Sequence, residues 1–182
     1  MKKESIVQFV CFATKLEPAE FSPLWKEFAK GSQADSINLY EVQKKDKNRF
    51  RYISRLSSKN ADFRFAFMKG RNSDHFPEQS AKVIQLGGYS TIQLQAAKKK
   101  KANEVKVMAF MEQNSFDLDF CKQQEYSSLD IYEAYYENCK YSYIMEYIVP
   151  EAGVDQLVEK LNAHGGIDVT NNINALVNAK EG

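Results

Sequence analysis

One half of this chain resembles the other. "SINLYEVQK" (Ser36 to Lys44) lies over "SLDIYEAYY" (Ser128 to Tyr136) at an offset of 92 residues, about half of the 182-residue length. Ser36/Ser128, Tyr40/Tyr132 and Glu41/Glu133 are identical, and Asn38 lies over Asp130. One residue of loop is then lost, and "FRYISRL" (Phe50 to Leu56) lies over "YSYIMEY" (Tyr141 to Tyr147), with Tyr52/Tyr143 and Ile53/Ile144 identical. A repeat at this period means that one supersecondary arrangement is built twice.

The order of predicted elements agrees between the halves. Residues 5–14 alternate as a strand,. Glu17 to Ala29 carries Phe21, Leu24, Trp25 and Phe28 at helical spacing, one apolar stripe that makes Trp25 a packing residue,. Strands are expected over 36–44 and 49–57 around the turn "KKDKN". A helix near Ala61–Lys69, the loop "RNSDHFPEQ" and the long strand "KVIQLGGYSTIQLQ" follow. The pair of glycines in "LGGYS" suits a bulge better than a phosphate loop. The second half offers a strand at Val105–Met111, a short helix at Phe116–Lys122 and a tyrosine-rich hairpin. It closes with a helix at Val154–Ala163 and the strand "IDVTNNINALV". Each half reads β-α-β-β-α-β, the ferredoxin-like order. The expected division is 1–97 for a basic first repeat, 98–103 for a lysine-rich linker and 104–182 for an acidic second repeat.

The hairpin "SLDIYEAYYENCKYSYIMEYIVP" is apolar or aromatic on both alternating faces. Strands of that kind are buried on both sides. A βαββαβ unit covers one sheet face with its helices and leaves the other bare. Two units in one chain can lay their bare faces together, which gives an α+β fold, an intramolecular barrel of two repeats packed sheet to sheet. In this arrangement Leu129, Ile131, Ile144 and Ile148 are expected to meet the helices. Tyr132, Tyr143, Met145 and Tyr147 are expected to line the space between the sheets.

Charge supports docking of the halves. Residues 1–101 hold 20 Lys and Arg against 10 Asp and Glu, net +10, while residues 102–182 hold 5 against 14, net −9. Opposite signs favour the unlike pair. At one repeat position the charge inverts, Arg55 lying over Glu146. The rival reading makes the basic half a nucleic-acid surface, but Arg49, Arg51 and Arg55 carry no RNA-binding aromatic signature, so nucleic acid is not the expected partner. Three cysteines, Cys11, Cys121 and Cys139, share no metal or redox spacing and suit a reduced, cytoplasmic setting,. No segment reaches the ~18 apolar residues needed to span a bilayer. A homo-oligomer is compatible with all of this.

Two ferredoxin-like units in tandem, each with an aromatic hairpin and a closing strand such as "GGYSTIQLQ", resemble the dimeric α+β barrel superfamily, with its antibiotic-biosynthesis-monooxygenase-like and stress-responsive members. The resemblance spans nearly the whole chain and rests on element order and repeat. It implies a ligand site between sheet and helices or inside the barrel. Some members bind or degrade haem, some oxidise aromatic polyketides without a cofactor. The Asn, Trp and His set of the haem-degrading members has no counterpart here: Trp25 is on the first helix, and neither His75 nor His164 falls on a matching strand. No cofactor and no metal are expected.

Individual motifs for chemistry are sparse. His164 ends a helix, where a histidine serves the dipole. His75 lies beside Asp74 in a loop. The candidate site is a cluster: Asn38, Tyr40, Tyr52, Tyr132, Tyr143, Met145 and Tyr147 as ligand contacts, with Asp130 as the acid or base, its pKa raised by apolar surroundings. If the β-strand of Arg51 and Arg55 faces inward, an anionic ligand is favoured. The expected function is small-molecule binding, with cofactor-independent catalysis on a planar or aromatic ligand as its extension. The alternative is a non-catalytic module with a filled interior.

Overall fold

The computed structural model describes residues 6–30, 36–42, 51–58, 81–93, 103–135, 139–165 and 167–180. The elements are β1 (Ile6–Thr14), α1 (Pro18–Lys30), β2 (Ser36–Glu41), β3 (Tyr52–Ser58), β4 (Ala81–Gln93), β5 (Glu104–Met111), α2 (Leu118–Lys122), β6 (Ser128–Ala134), β7 (Tyr143–Pro150), α3 (Val154–Ala163) and β8 (Ile167–Lys180). The expected helix at Ala61–Lys69, the "KKDKN" turn, the loop of His75 and the lysine run lie outside the described residues.

The eight strands form a closed antiparallel barrel in the order β1-β3-β2-β8-β5-β7-β6-β4. The first four strands lie β4-β1-β3-β2 and the last four β8-β5-β7-β6, the same order twice. The sequence suggested two sheets laid face to face; the halves instead join edge to edge, β2 to β8 and β4 to β6. Closure is physically favoured because an open edge leaves a row of backbone N–H and C=O groups unpaired. No helix among the described residues is long and apolar enough to cross a membrane.

Side chains alternate along each strand, so the barrel has an inside and an outside. Inside lie Val7, Phe9, Cys11, Tyr40, Val42, Ile53, Leu86, Tyr89, Met108, Phe110, Tyr132, Tyr141 and Ile144, drawn from both halves. Outside, α1 lays Phe21 and Trp25 on Val10, Phe12, Ile37, Leu39, Tyr52 and Leu56. The Trp25 Nε1–H donates to Ser54 Oγ at 3.2 Å, which satisfies the indole's polar atom in a fully buried place,. On the second half, α3 lays Val154, Leu157 and Leu161 on Leu129, Ile131, Met145, Tyr147 and Val149. The short α2 is started by Asp117, whose side chain accepts from the Phe120 N–H at 3.1 Å,.

Register decides the facing of the tyrosine hairpin. Leu129 pairs with Tyr147, Asp130 with Glu146, Ile131 with Met145, Tyr132 with Ile144 and Glu133 with Tyr143. Directly paired residues share a face. Leu129 and Ile131 meet the helices as expected. Tyr143, Met145 and Tyr147 therefore also face the helices, and Ile144 faces the interior, the reverse of the expected assignment for β7. A one-residue difference in the pairing exchanges every side chain between faces, and alternation within β7 alone does not fix which set is inward.

The expected irregularity at "LGGYS" is present. The β1–β4 register shifts between Phe9 and Val10, opposite Gly87. Gly87 has φ +121°, and a Cβ built on it would lie 2.6 Å from Cys139 Sγ. Glycine is required there both for the backbone angle and for the close approach.

Candidate functional site

Within this largely apolar interior, five polar side chains from five strands converge. Arg55 (β3) donates to Glu146 Oε2 (β7) at 2.8 Å, to the Tyr132 hydroxyl (β6) at 3.1 Å and to the Tyr40 hydroxyl (β2) at 3.2 Å. Lys106 (β5) donates to Glu146 Oε2 at 3.3 Å and to the Tyr40 hydroxyl at 3.5 Å, its Nζ lying 4.6 Å from the Tyr40 ring centroid. Both cations are partly open to solvent, at 22% and 15% side-chain exposure, whereas Glu146 is sealed at 1%. Phe9 packs edge-on to Tyr132, with ring centroids 5.2 Å apart, and forms an apolar wall beside the cluster.

Charges explain one another here. Burial alone would raise the Glu146 carboxyl, but Arg55 and then Lys106 outweigh it and hold the group below its ordinary range, ionised,. Glu146 in turn raises Arg55 against the effect of burial. Burial alone would lower Lys106; Glu146, through its charge and its hydrogen bond, and Tyr40 together outweigh that and keep the amine charged. Burial, then Glu146, pushes the Tyr132 phenol far above its ordinary range despite Arg55. The cluster therefore holds a carboxylate, two cations and, at Tyr132, a neutral phenol. It can bind and orient. Glu146 is an acceptor and not a proton donor.

The structure brings together only part of the candidate set. Tyr40 and Tyr132 are in the cluster. Asn38 is paired in register with Arg55 on the inward face of β2, and Asp130 is paired with Glu146 on the inward face of β6. Tyr52, Tyr143, Met145 and Tyr147 are elsewhere. Tyr52 stacks on Phe21 at 4.2 Å beneath α1 and donates to the Leu16 carbonyl at 2.7 Å. Tyr143 stacks on Phe116 at 3.7 Å, and Tyr147 donates to the Cys121 carbonyl at 2.9 Å. Each is held by helix-side packing, and Met145 joins the same outer cluster.

The arginines of the first half divide. Arg51 pairs with Glu17 at 3.1 Å and Glu41 at 3.2 Å, while Arg55 looks into the barrel. The residues that sequence reasoning left out of the site are Glu146 and Lys106. The inverted repeat position, Arg55 over Glu146, was the signal for the first: equivalent positions of two halves meet across the barrel. The signal for Lys106 was a cation in the same alternating set of β5 as the inward Met108 and Phe110, since a buried cation needs a partner,.

A haem would need a suitably placed axial ligand. His164, the histidine among the described residues, follows α3 and stacks its ring on Phe120 at 3.8 Å. The helix–sheet space of the second half is filled by Val107, Met111, Leu129, Met145, Tyr147 and Leu161, all without exposure. The described residues do not fit that group.

No family model and no curated protein matches the chain. Solved structures do. A chlorite dismutase-like protein aligns with TM-score 0.60 and 10% identity over 96% of each chain. A chlorite dismutase mutant from Candidatus Nitrospira defluvii aligns with TM-score 0.61 and 8% identity, over 97% of this chain and 93% of that one. An anthrone oxidase-like protein aligns with TM-score 0.55 and 10% identity, over 98% and 94%. Along nearly its whole length, then, the chain has the antiparallel α+β barrel fold of these chlorite dismutase-like and anthrone oxidase-like structures.

Proposed function

We propose that this protein binds a small planar or aromatic molecule at the polar cluster inside its barrel. The observation that carries this reading is the convergence of Arg55, Lys106, Glu146, Tyr40 and Tyr132 beside Phe9, with both cations reachable from solvent. A few convergent polar groups among apolar walls are the usual composition of a ligand site. The inward Arg55 favours a ligand with electron-rich or anionic character. The neighbours named as a chlorite dismutase and an anthrone oxidase-like protein carry small-molecule names on the same fold. Asp130, on the inward face beside Glu146, is the group assigned to proton exchange if the bound molecule is also transformed. In this reading 1–97 and 104–182 are two ferredoxin-like repeats of antibiotic-biosynthesis-monooxygenase-like type, and the ligand sits where their equivalent strands meet.

The filled interior supports a second reading, a non-catalytic module. Phe9, Met108, Phe110 and Ile144 are wholly buried, and the Arg55–Glu146 pair ties the halves together. Methionine methyl NMR separates the two. Met108 is inside the barrel, whereas Met111 and Met145 are in the helix-side cluster. A panel of aromatic fragments at millimolar concentration should shift the Met108 methyl and leave Met111 and Met145 in place. If no fragment moves Met108, ligand binding is refuted and the module reading stands.

A further inference from the structure

Glu146 uses only half of its carboxylate. Oε2 accepts from both Arg55 and Lys106. Oε1 is buried and has no hydrogen-bond partner among the described residues. A buried acceptor on a charged group is costly to leave unpaired, so the fold presents an acceptor that a visiting donor can use. From this, and resting on the ligand-binding reading above, we infer that Glu146 Oε1 is a recognition point for a neutral hydroxyl donor, so that the ligand class is a phenol or enol and not an amine.

Two features fix the class. A donor is required, because Oε1 is an acceptor with its charge retained. A cationic donor is repelled, because Arg55 and Lys106 lie within 3.3 Å of the same carboxylate and like charges held this close oppose one another,. A hydroxyl on a planar ring satisfies both demands and can lie against the Phe9 and Tyr132 rings,. A charge-assisted O–H to carboxylate bond is among the stronger hydrogen bonds, so deleting the ligand's donor should be felt.

The probes are para-cresol, para-methylanisole, toluene and para-methylbenzylamine, with affinity read from the Met108 methyl shift. Para-cresol should bind the wild-type protein about tenfold more tightly than para-methylanisole, which keeps the ring and oxygen but lacks the O–H. Para-methylbenzylamine should bind most weakly. Glu146→Gln tests the residue itself. Arg55 and Lys106 will hold the amide oxygen at the Oε2 position, which puts the NH2 where Oε1 was, so the preference should invert toward para-methylanisole. The wild-type comparison stands even if that variant folds poorly. If the aromatic probes bind with equal affinity, or the amine binds best, the hydroxyl assignment falls while ligand binding stands. If no probe shifts Met108, binding at this site falls first.

Discussion

Replacing Arg55 by Met removes the main counterion of a carboxylate at 1% exposure. Breaking a buried pair in this way costs roughly 3–5 kcal/mol, because a charge is left behind in a dry place. Lys106 stays 3.3 Å from Glu146 Oε2, which puts the expected loss at the low end, about 3 kcal/mol,. For a chain of 182 residues that is a fall in Tm of roughly 6–12 °C,. Glu146→Leu leaves Arg55 and Lys106 with partial access to water and should cost less, about 2 kcal/mol. The double variant should cost less than the sum, by about 1.5 kcal/mol or more. Urea unfolding of the four proteins at neutral pH measures this coupling. Additivity to within about 0.5 kcal/mol would show that the pair does not act as a unit. The pH dependence has a definite sign. Glu146 is held below its ordinary value of 4.5, so the stability it contributes is complete above that value,. It is lost as pH falls through the still lower folded value, and the gap between wild type and Glu146→Leu should narrow in acid.

Gly87→Ala should destabilise by about 3 kcal/mol, since φ +121° is strained for any side chain and the new Cβ meets Cys139,. Gly153→Ala, with φ −95° and nothing within 4 Å of its Cβ, should be neutral or stabilising by about 0.5 kcal/mol; equal losses at both glycines would refute the assignment,. In alkali, burial pushes Tyr52 up to about 12, and Tyr89, Tyr132 and Tyr147 further in the same direction. Their stability is full below the ordinary phenol value of 10 and is lost as pH rises beyond it, so near-ultraviolet phenolate absorbance from these four should grow only with loss of circular dichroism,. Segments 1–97 and 104–182, expressed separately, should associate, more weakly as salt rises; no association, or association indifferent to salt, would count against charge-guided docking of the halves.

The repeat was legible because it is local: the residues that make β2 and β6 similar, such as Tyr40 and Tyr132, sit in one short stretch each. The helices were legible through their stripes, and α3 runs over Val154–Ala163 as its spacing predicts. Strand alternation also separated each strand into two sets of side chains. Which set faces inward is not a property of one strand. It depends on the pairing of Ile131 with Met145 and Tyr132 with Ile144, which sends Tyr143, Met145 and Tyr147 to the helices. The candidate site shows the same division. Tyr40 and Tyr132 were named from the repeat, but the buried carboxylate is Glu146, and Lys106 gave no repeat signal. Arg55 and Glu146 lie 91 positions apart and meet only because β2–β8 and β4–β6 pairing closes the barrel. A sequence constrains local geometry directly through side-chain size, branching and polarity. Contacts across a closed barrel depend instead on the register of several strand pairs at once, and each pair is decided by the packing of all the others.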